Sequence, residues 1–219
     1  MNMEVIVSYL PRYTEAFGLT VRTGVTGILI ATVLGVICAF VMHFGVPFFS
    51  QAAGMYVELF RNTPLLVQLF FIYFGLPKIG IAVPAEVCGA VGLGLLGGSY
   101  MSESIRSGLD AVSTAQKESA LALGMTRSQL FWEIILPEAV AISAPALVAN
   151  VIFLLKETSV FSAISLMDLM FTAKDLIGLY YNTTEALFLL VVFYIIMLLP
   201  VSILGYYLEK KVRFKMFGA

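Results

Sequence analysis

Charged residues cut this chain into long apolar stretches: no Asp, Glu, Lys or Arg occurs at 23–57, 62–77, 87–102, 139–155 or 186–208. A bilayer core about 30 Å thick takes about 20 helical residues to cross. The pattern predicts an all-α membrane protein with about five crossings, near 19–44, 50–76, 82–110, 138–157 and 183–209, in a single domain over 1–219. A turn at Gly45, Val46 and Pro47 ends the first crossing. The three middle stretches are short, and completing their helices draws Arg61, Glu103, Arg106 and Lys156 toward membrane depth. A charge there is costly unless it faces protein or a wet cavity, so these residues become site candidates.

Finer signals follow the same pattern. Ala90, Gly94, Gly98 and Ser102 recur at every fourth position of the third helix, a small-residue stripe that lets another backbone approach closely. Such a stripe serves either packing within the chain or a seam beside a translocation path. Pro145 removes a backbone bond inside the fourth helix and predicts a kink. The segment 159–181 mixes apolar residues with Asp168, Lys174 and Asp175, which predicts a short helix lying at the outer surface or partly re-entrant.

Composition agrees: 60% of residues are hydrophobic and 12% charged, against roughly 25% charged in a soluble domain. A net charge of -1 offers no basic surface for nucleic acid. Cys38 and Cys88 stand alone in apolar runs and read as packing residues. The first eighteen residues carry Glu4, Arg12 and Glu15 and lack a basic start followed by an apolar core, so no cleaved signal is expected there. Lys210, Lys211, Arg213 and Lys215 in the tail (210–219), with Lys117 and Arg127 between the third and fourth helices, place both segments on the cytoplasmic side. With five crossings the N-terminus then lies outside. His43 reads as interfacial, and Phe131 and Trp132 as anchors at the membrane surface.

The loop at about 113–136 has the most complete local signals. Ser113 with Gln116 fits a capping box, Gly124 a left-handed helix stop, Thr126 with Gln129 a second capping box, and Pro137 a new element. The loop reads as helix, break, helix: a rigid lever between two spans, or an ordinary interfacial connector.

Glu118, Ser119 and Ala120, then three residues, Gly124, nine residues, and Ile134, Leu136 and Pro137 resemble the E-A-A-x-x-x-G-x9-I-x-L-P signature of permease subunits of bacterial binding-protein-dependent ABC importers. Only Ser119 departs, standing where the family usually has Ala. The resemblance extends from Gly18 to the tail and is that of the polar amino acid type serving histidine, glutamine, glutamate or arginine. It is carried further by Leu19 and Thr20, by Glu58, Arg61, Thr63, Pro64 and Gln68, by Ser99, Tyr100, Glu103 and Arg106, and by Lys156, Glu157, Thr158 and Ser159.

The resemblance implies the type I ABC importer permease fold, with a coupling helix between the third and fourth spans. It implies that Lys117, Glu118, Ser119, Ala120 and Gly124 dock on a separate cytoplasmic ATP-binding subunit. It further implies a second permease chain, the same or related, and an extracytoplasmic substrate-binding protein, in the bacterial plasma membrane. The chain contains no G-x-x-x-x-G-K-[ST] loop, so no cofactor is expected on it, and ATP and Mg belong to the partner.

An amino acid zwitterion held at membrane depth needs an acceptor for its ammonium and a donor for its carboxylate. Glu103 is the candidate for the first and Lys156 for the second, with Gln68, Ser99, Tyr100 and Thr158 shaping a wet cavity between them. Ser99, Glu103 and Arg106 share a face of the third helix, and Arg61 and Gln68 a face of the second. The alternative is mutual neutralisation, Glu103 by Arg106 or Lys156 by Glu157. Arg61 reads as capping the pore mouth or pairing with an acid such as Glu58. A rival for the whole chain is a secondary transporter or channel working without an ATPase, against which no inverted repeat is visible. An intramembrane enzyme is a weaker rival, because the single His, with no H-E-x-x-H and no G-x-S-x-G, offers no catalytic constellation.

Overall fold

The structure, a computed structural model, describes residues 1–217; the last two residues of the expected tail, 218–219, lie outside the described residues. Nine α-helices follow one another among the described residues: α1 Met3–His43, α2 Phe49–Arg61, α3 Leu65–Phe70, α4 Ala85–Ala111, α5 Thr114–Ala122, α6 Arg127–Gln129, α7 Leu136–Glu157, α8 Leu169–Tyr180 and α9 Thr183–Phe217. All five expected spans are helical. Three helical stretches are long and apolar enough to cross a membrane, and α2 with α3 qualifies as a bent pair. The remaining span, α4, is rich in Gly and Ser and is the helix most enclosed by the others.

Helix α1 begins sixteen residues before the expected span. Its early buried positions Ile6, Tyr9, Tyr13, Ala16 and Thr20 recur every three or four residues, a helical stripe hidden by Glu4, Arg12 and Glu15 on its other face. Asn2 caps the start by accepting from the Glu4 amide at 3.0 Å. At about 1.5 Å per residue the 41-residue helix is about 60 Å long, twice the thickness of a bilayer core. Its first half packs on α8 and α9 through Leu169, Leu176, Leu189 and Phe193. The Tyr13 hydroxyl donates to the Ala186 carbonyl at 2.6 Å, and Asn182 Nδ2 to the Tyr9 hydroxyl at 2.8 Å.

The small-residue stripe serves packing within the chain. A Cβ on Gly94 would lie 2.5 Å from Ile30 of α1, and one on Gly98 2.5 Å from the Tyr56 hydroxyl of α2. That hydroxyl instead donates to the Leu95 carbonyl at 2.7 Å. Where lipid is as apolar as the protein interior, such close approach supplies the packing that holds helices together. Cys88 is buried and Cys38 half-buried, both as free thiols.

Two expectations are corrected. The second span is not one helix over 50–76: it bends by 104° between α2 and α3. Pro64 has no N–H to continue the ladder, and the bend leaves the Phe60 and Thr63 carbonyls without helical partners. Gln68 Nε2 donates to both, at 3.1 and 2.9 Å. Arg61 and Gln68 therefore lie on different helices rather than on one face. Pro137 falls in the first turn of α7, as read, and a π turn, Leu130–Ile135, joins α6 to α7 without a gap. A widened turn absorbs the interrupted bonding of a proline. His43 is not merely interfacial: its Nδ1 lies 3.2 Å from Asp110 Oδ1.

The stretch 159–181 forms a 3-10 turn, Thr158–Ile164, and then α8. Asp168 caps α8, with Oδ1 accepting from the Phe171 amide at 2.8 Å, and is fully buried. Its Oδ2 has no hydrogen-bond partner, and the next amide, Leu169, donates to Thr20 Oγ1 of α1 at 3.1 Å. Burial pushes the carboxyl up from 3.8 to about 7, against the pull of backbone amides and Lys174. Between those values the folded chain keeps a proton that the unfolded chain has lost, so stability falls as pH rises through the window and levels off above it. The thermal midpoint in detergent is expected to be lower at pH 8 than at pH 5. Asp168→Asn keeps the cap and should flatten that slope, raising the pH 8 midpoint by several degrees.

Candidate functional site

Two features stand out: the arm between α4 and α7, and the charged walls around α7. In the arm, Ser113 Oγ accepts from the Gln116 amide at 3.2 Å while Gln116 Oε1 accepts from the Ser113 amide at 3.3 Å. The helix α5 ends on Gly124 at φ +86, with the Gly124 amide donating to the Leu121 carbonyl and the Met125 amide to the Ala120 carbonyl at 3.0 and 3.2 Å. This is a Schellman stop, and the left-handed position suits glycine. A second capping box joins Thr126 and Gln129.

Ala120 is the buried residue of α5, set among Leu109 and Val112 from the α4 side and Leu130, Ile135 and Ala139 from the α7 side. Gln116 Nε2 also donates to Glu138 Oε2 at 3.0 Å. The arm is thereby fixed to both spans, and a push on it moves their ends together. Glu118, Ser119 and Gly124 are exposed and Lys117 is half-buried. Two exposed apolar residues beside them, Leu121 and Leu123, were not singled out from the sequence; Leu123 is 86% exposed. The signal was available, since a leucine just before a helix-stopping glycine has no turn of its own to pack under.

The structure divides the expected substrate-path residues among four settings. Tyr100 lines a cavity of about 390 Å³ together with Arg61, Thr63, Pro64, Phe153 and Glu157. Lys156 lines a different cavity, of about 620 Å³, between α7 and α9 with Ser159, Tyr194 and Ser202. Gln68, Ser99 and Thr158 are buried and turned to backbone: Gln68 supports the bend, Ser99 Oγ donates to the Leu96 carbonyl at 2.6 Å and Thr158 Oγ1 to the Leu155 carbonyl at 2.7 Å. Glu103 is held between Arg61, at 3.3 Å, and Arg106. Glu58 is not the partner of Arg61; its Oε2 lies 3.5 Å from Asn62 Nδ2 instead. Of the two neutralising pairs offered as alternatives, Glu103 with Arg106 forms, and Lys156 with Glu157 does not. Among the described residues no ion pair joins the last two, and they point into neighbouring cavities from adjacent faces of α7.

Residues 31–214 match the family described as the binding-protein-dependent transport system inner membrane component. The chain belongs to that family. It is 30% identical to the arginine transport system permease protein ArtQ of Bacillus subtilis, over 97% of this chain and 98% of that one. It is 34% identical to the probable glutamine ABC transporter permease protein GlnM of the same organism, over 97% of this chain and 99% of the other. Among solved structures, a crystal structure of an amino acid ABC transporter with histidines matches 96% of this chain and 99% of its own, at TM-score 0.89 and 30% identity. A chain of the MetNI methionine ABC transporter in an inward-facing conformation, at TM-score 0.75 and 18% identity over 94% of this chain and 98% of its own, shares the fold. The chain is thus a membrane-embedded permease with the type I importer fold, a transport component rather than a catalytic one.

Proposed function

We propose that this chain is the permease subunit of an ATP-driven importer that moves polar amino acids into the cell by alternating access. The observation that carries the reading is the arm: α5, capped at both ends and anchored to α4 and α7, turns Glu118, Leu121 and Leu123 outward. A separate cytoplasmic ATPase, which holds ATP and Mg, grips that face, and closure of the ATPase moves both spans. A second permease chain completes the pore, and an extracytoplasmic binding protein delivers the amino acid. The N-terminus of α1 lies outside the plasma membrane and the tail inside, as the excess of Lys and Arg in the arm and tail favours.

The substrate passes along α7. Glu157 meets the ammonium in the smaller cavity, where Arg61 and Tyr100 also line the wall, and Lys156 receives the carboxylate once the substrate passes on to the larger cavity. Consecutive helical residues lie about 100° apart, so the two cavities are adjacent around α7. In proteoliposomes containing the whole transporter, Glu118→Lys is expected to cut ATP-driven amino acid uptake about tenfold or more, the loss typical of reversing an interfacial charge. Undiminished uptake by a normally folded variant removes the importer reading, and uptake that persists without the ATPase replaces it with secondary transport.

A further inference from the structure

Five titratable side chains form one chain of contacts from the smaller cavity to the arm. Arg61 Nη1 lies 3.3 Å from Glu103 Oε2; Glu103 is bonded to Arg106; Arg106 Nη1 lies 3.6 Å from Asp110 Oδ2; and Asp110 Oδ1 lies 3.2 Å from His43 Nδ1. Glu103, Arg106 and Asp110 stand at i, i+3 and i+7 on α4, three residues short of the Ser113 cap at their lower end. The two ends of the ladder come from other helices: His43 is the last residue of α1, and Arg61 the last residue of α2 before the 104° bend. The Arg61 guanidinium also lies 5.6 Å from the Tyr100 ring centroid and lines the smaller cavity opposite Glu157.

Arg61 is thus the cation of the ladder that lines the cavity, and Glu103 keeps a second partner, Arg106, if Arg61 leaves. Exchange is therefore electrostatically cheap: the substrate carboxylate replaces Glu103 on Arg61, and no charge is left bare.

Resting on the amino acid reading above, we propose that the Arg61–Glu103 pair is a substrate-sensing latch. Closed, it ties the end of α2 to α4. An amino acid whose ammonium is held by Glu157 offers its carboxylate to Arg61, which lets go of Glu103. Helix α4 is then free to move with the arm, so occupancy of the cavity permits the ATPase stroke. Arg61 touches substrate in this scheme; Glu103 is a positioning residue that acts through Arg61.

The test uses the complete transporter in proteoliposomes, with ATPase activity measured without substrate and with saturating L-arginine or L-glutamine. Arg61→Gln and Glu103→Gln each open the latch, and each is expected to raise the substrate-free rate about fivefold, the factor carried by a partly exposed pair worth about 1 kcal/mol. The double variant should exceed neither single one, whereas unrelated structural defects add. Arg61→Gln should also raise the half-saturating amino acid concentration, while Glu103→Gln leaves it unchanged or lowers it. Arg61→Lys retains the charge and should return the substrate-free rate toward that of the wild type, separating the latch from a folding defect. Wild-type substrate-free rates in both single variants, or additive effects in the double, overturn the latch. A wild-type transporter that responds to neither amino acid, nor to any other, overturns the importer reading instead.

Discussion

Leu123→Asp is expected to abolish ATP-driven uptake while leaving the chain as stable as before. Leu123 is 86% exposed and belongs to none of the apolar clusters of the chain. Its backbone amide bonds to the Ser119 carbonyl at 3.1 Å, a contact that Asp can make equally well. Nothing in the fold resists the change. In the proposed complex, however, Leu123 sits at the tip of the arm beside Glu118 and Leu121, where a partner groove would enclose it. Losing an apolar anchor at the centre of an interface costs about 2 kcal/mol or more, and desolvating a carboxylate there adds to it. A weakening of at least about 30-fold in ATPase binding follows. Co-purification with the ATPase subunit and the thermal midpoint of the isolated chain are the two measurements. Loss of the first with the second unchanged is the expected pair, and a retained ATPase would show that the arm docks through another surface.

The arm was legible in the sequence because all of its signals are local. Ser113 with Gln116, Thr126 with Gln129 and Gly124 each act within a few residues, and all three form as read. The early part of α1 was hidden because charge-free length was the criterion. A helix that runs past the bilayer needs only one apolar face, and Ile6, Tyr9, Tyr13 and Ala16 supply it against α8 and α9. The bend in the second span was missed for the opposite reason. Thr63 and Pro64 were read as a motif inside an apolar run, although a proline with no carbonyl-satisfying neighbour upstream forecasts a break; only the reach of Gln68 back to Phe60 makes that break affordable.

The charged walls were legible as a set of residues but not as an arrangement. Arg61, Glu103, Arg106 and Lys156 were all marked by their cost at membrane depth, yet partner choice depends on tertiary placement. The bend carries Arg61 to Glu103 rather than Glu58, and the turn of α7 sends Lys156 and Glu157 into separate cavities. Ser99 and Thr158 look polar in sequence, but each hydroxyl satisfies a carbonyl of its own helix, which helical Ser and Thr readily do. Asp168 gave no motif at all, and only burial against α1 and α9 makes its carboxyl unusual.

Gly108→Val is expected to lower the stability of the chain by about 3 kcal/mol and to remove transport with it. A Cβ at position 108 would lie 2.5 Å from the Ala139 carbonyl oxygen and 3.0 Å from Ser143 Cβ, both on α7. A backbone oxygen cannot rotate out of the way as a side-chain tip can, so α4 and α7 must separate. They meet there beside Leu109, Ile135 and Ala139, the cluster that seats Ala120 of the arm. Separation both forfeits packing, which membrane helices depend on, and spreads the two points on which the arm stands. Gly178→Ala is the matched control: nothing lies within 4 Å of its Cβ position, and an alanine in α8 should add up to about 1 kcal/mol. Thermal unfolding in detergent should therefore move in opposite directions for the two variants. Equal midpoints would mean that α4 and α7 are not held by this contact, and the arm would then need another foundation.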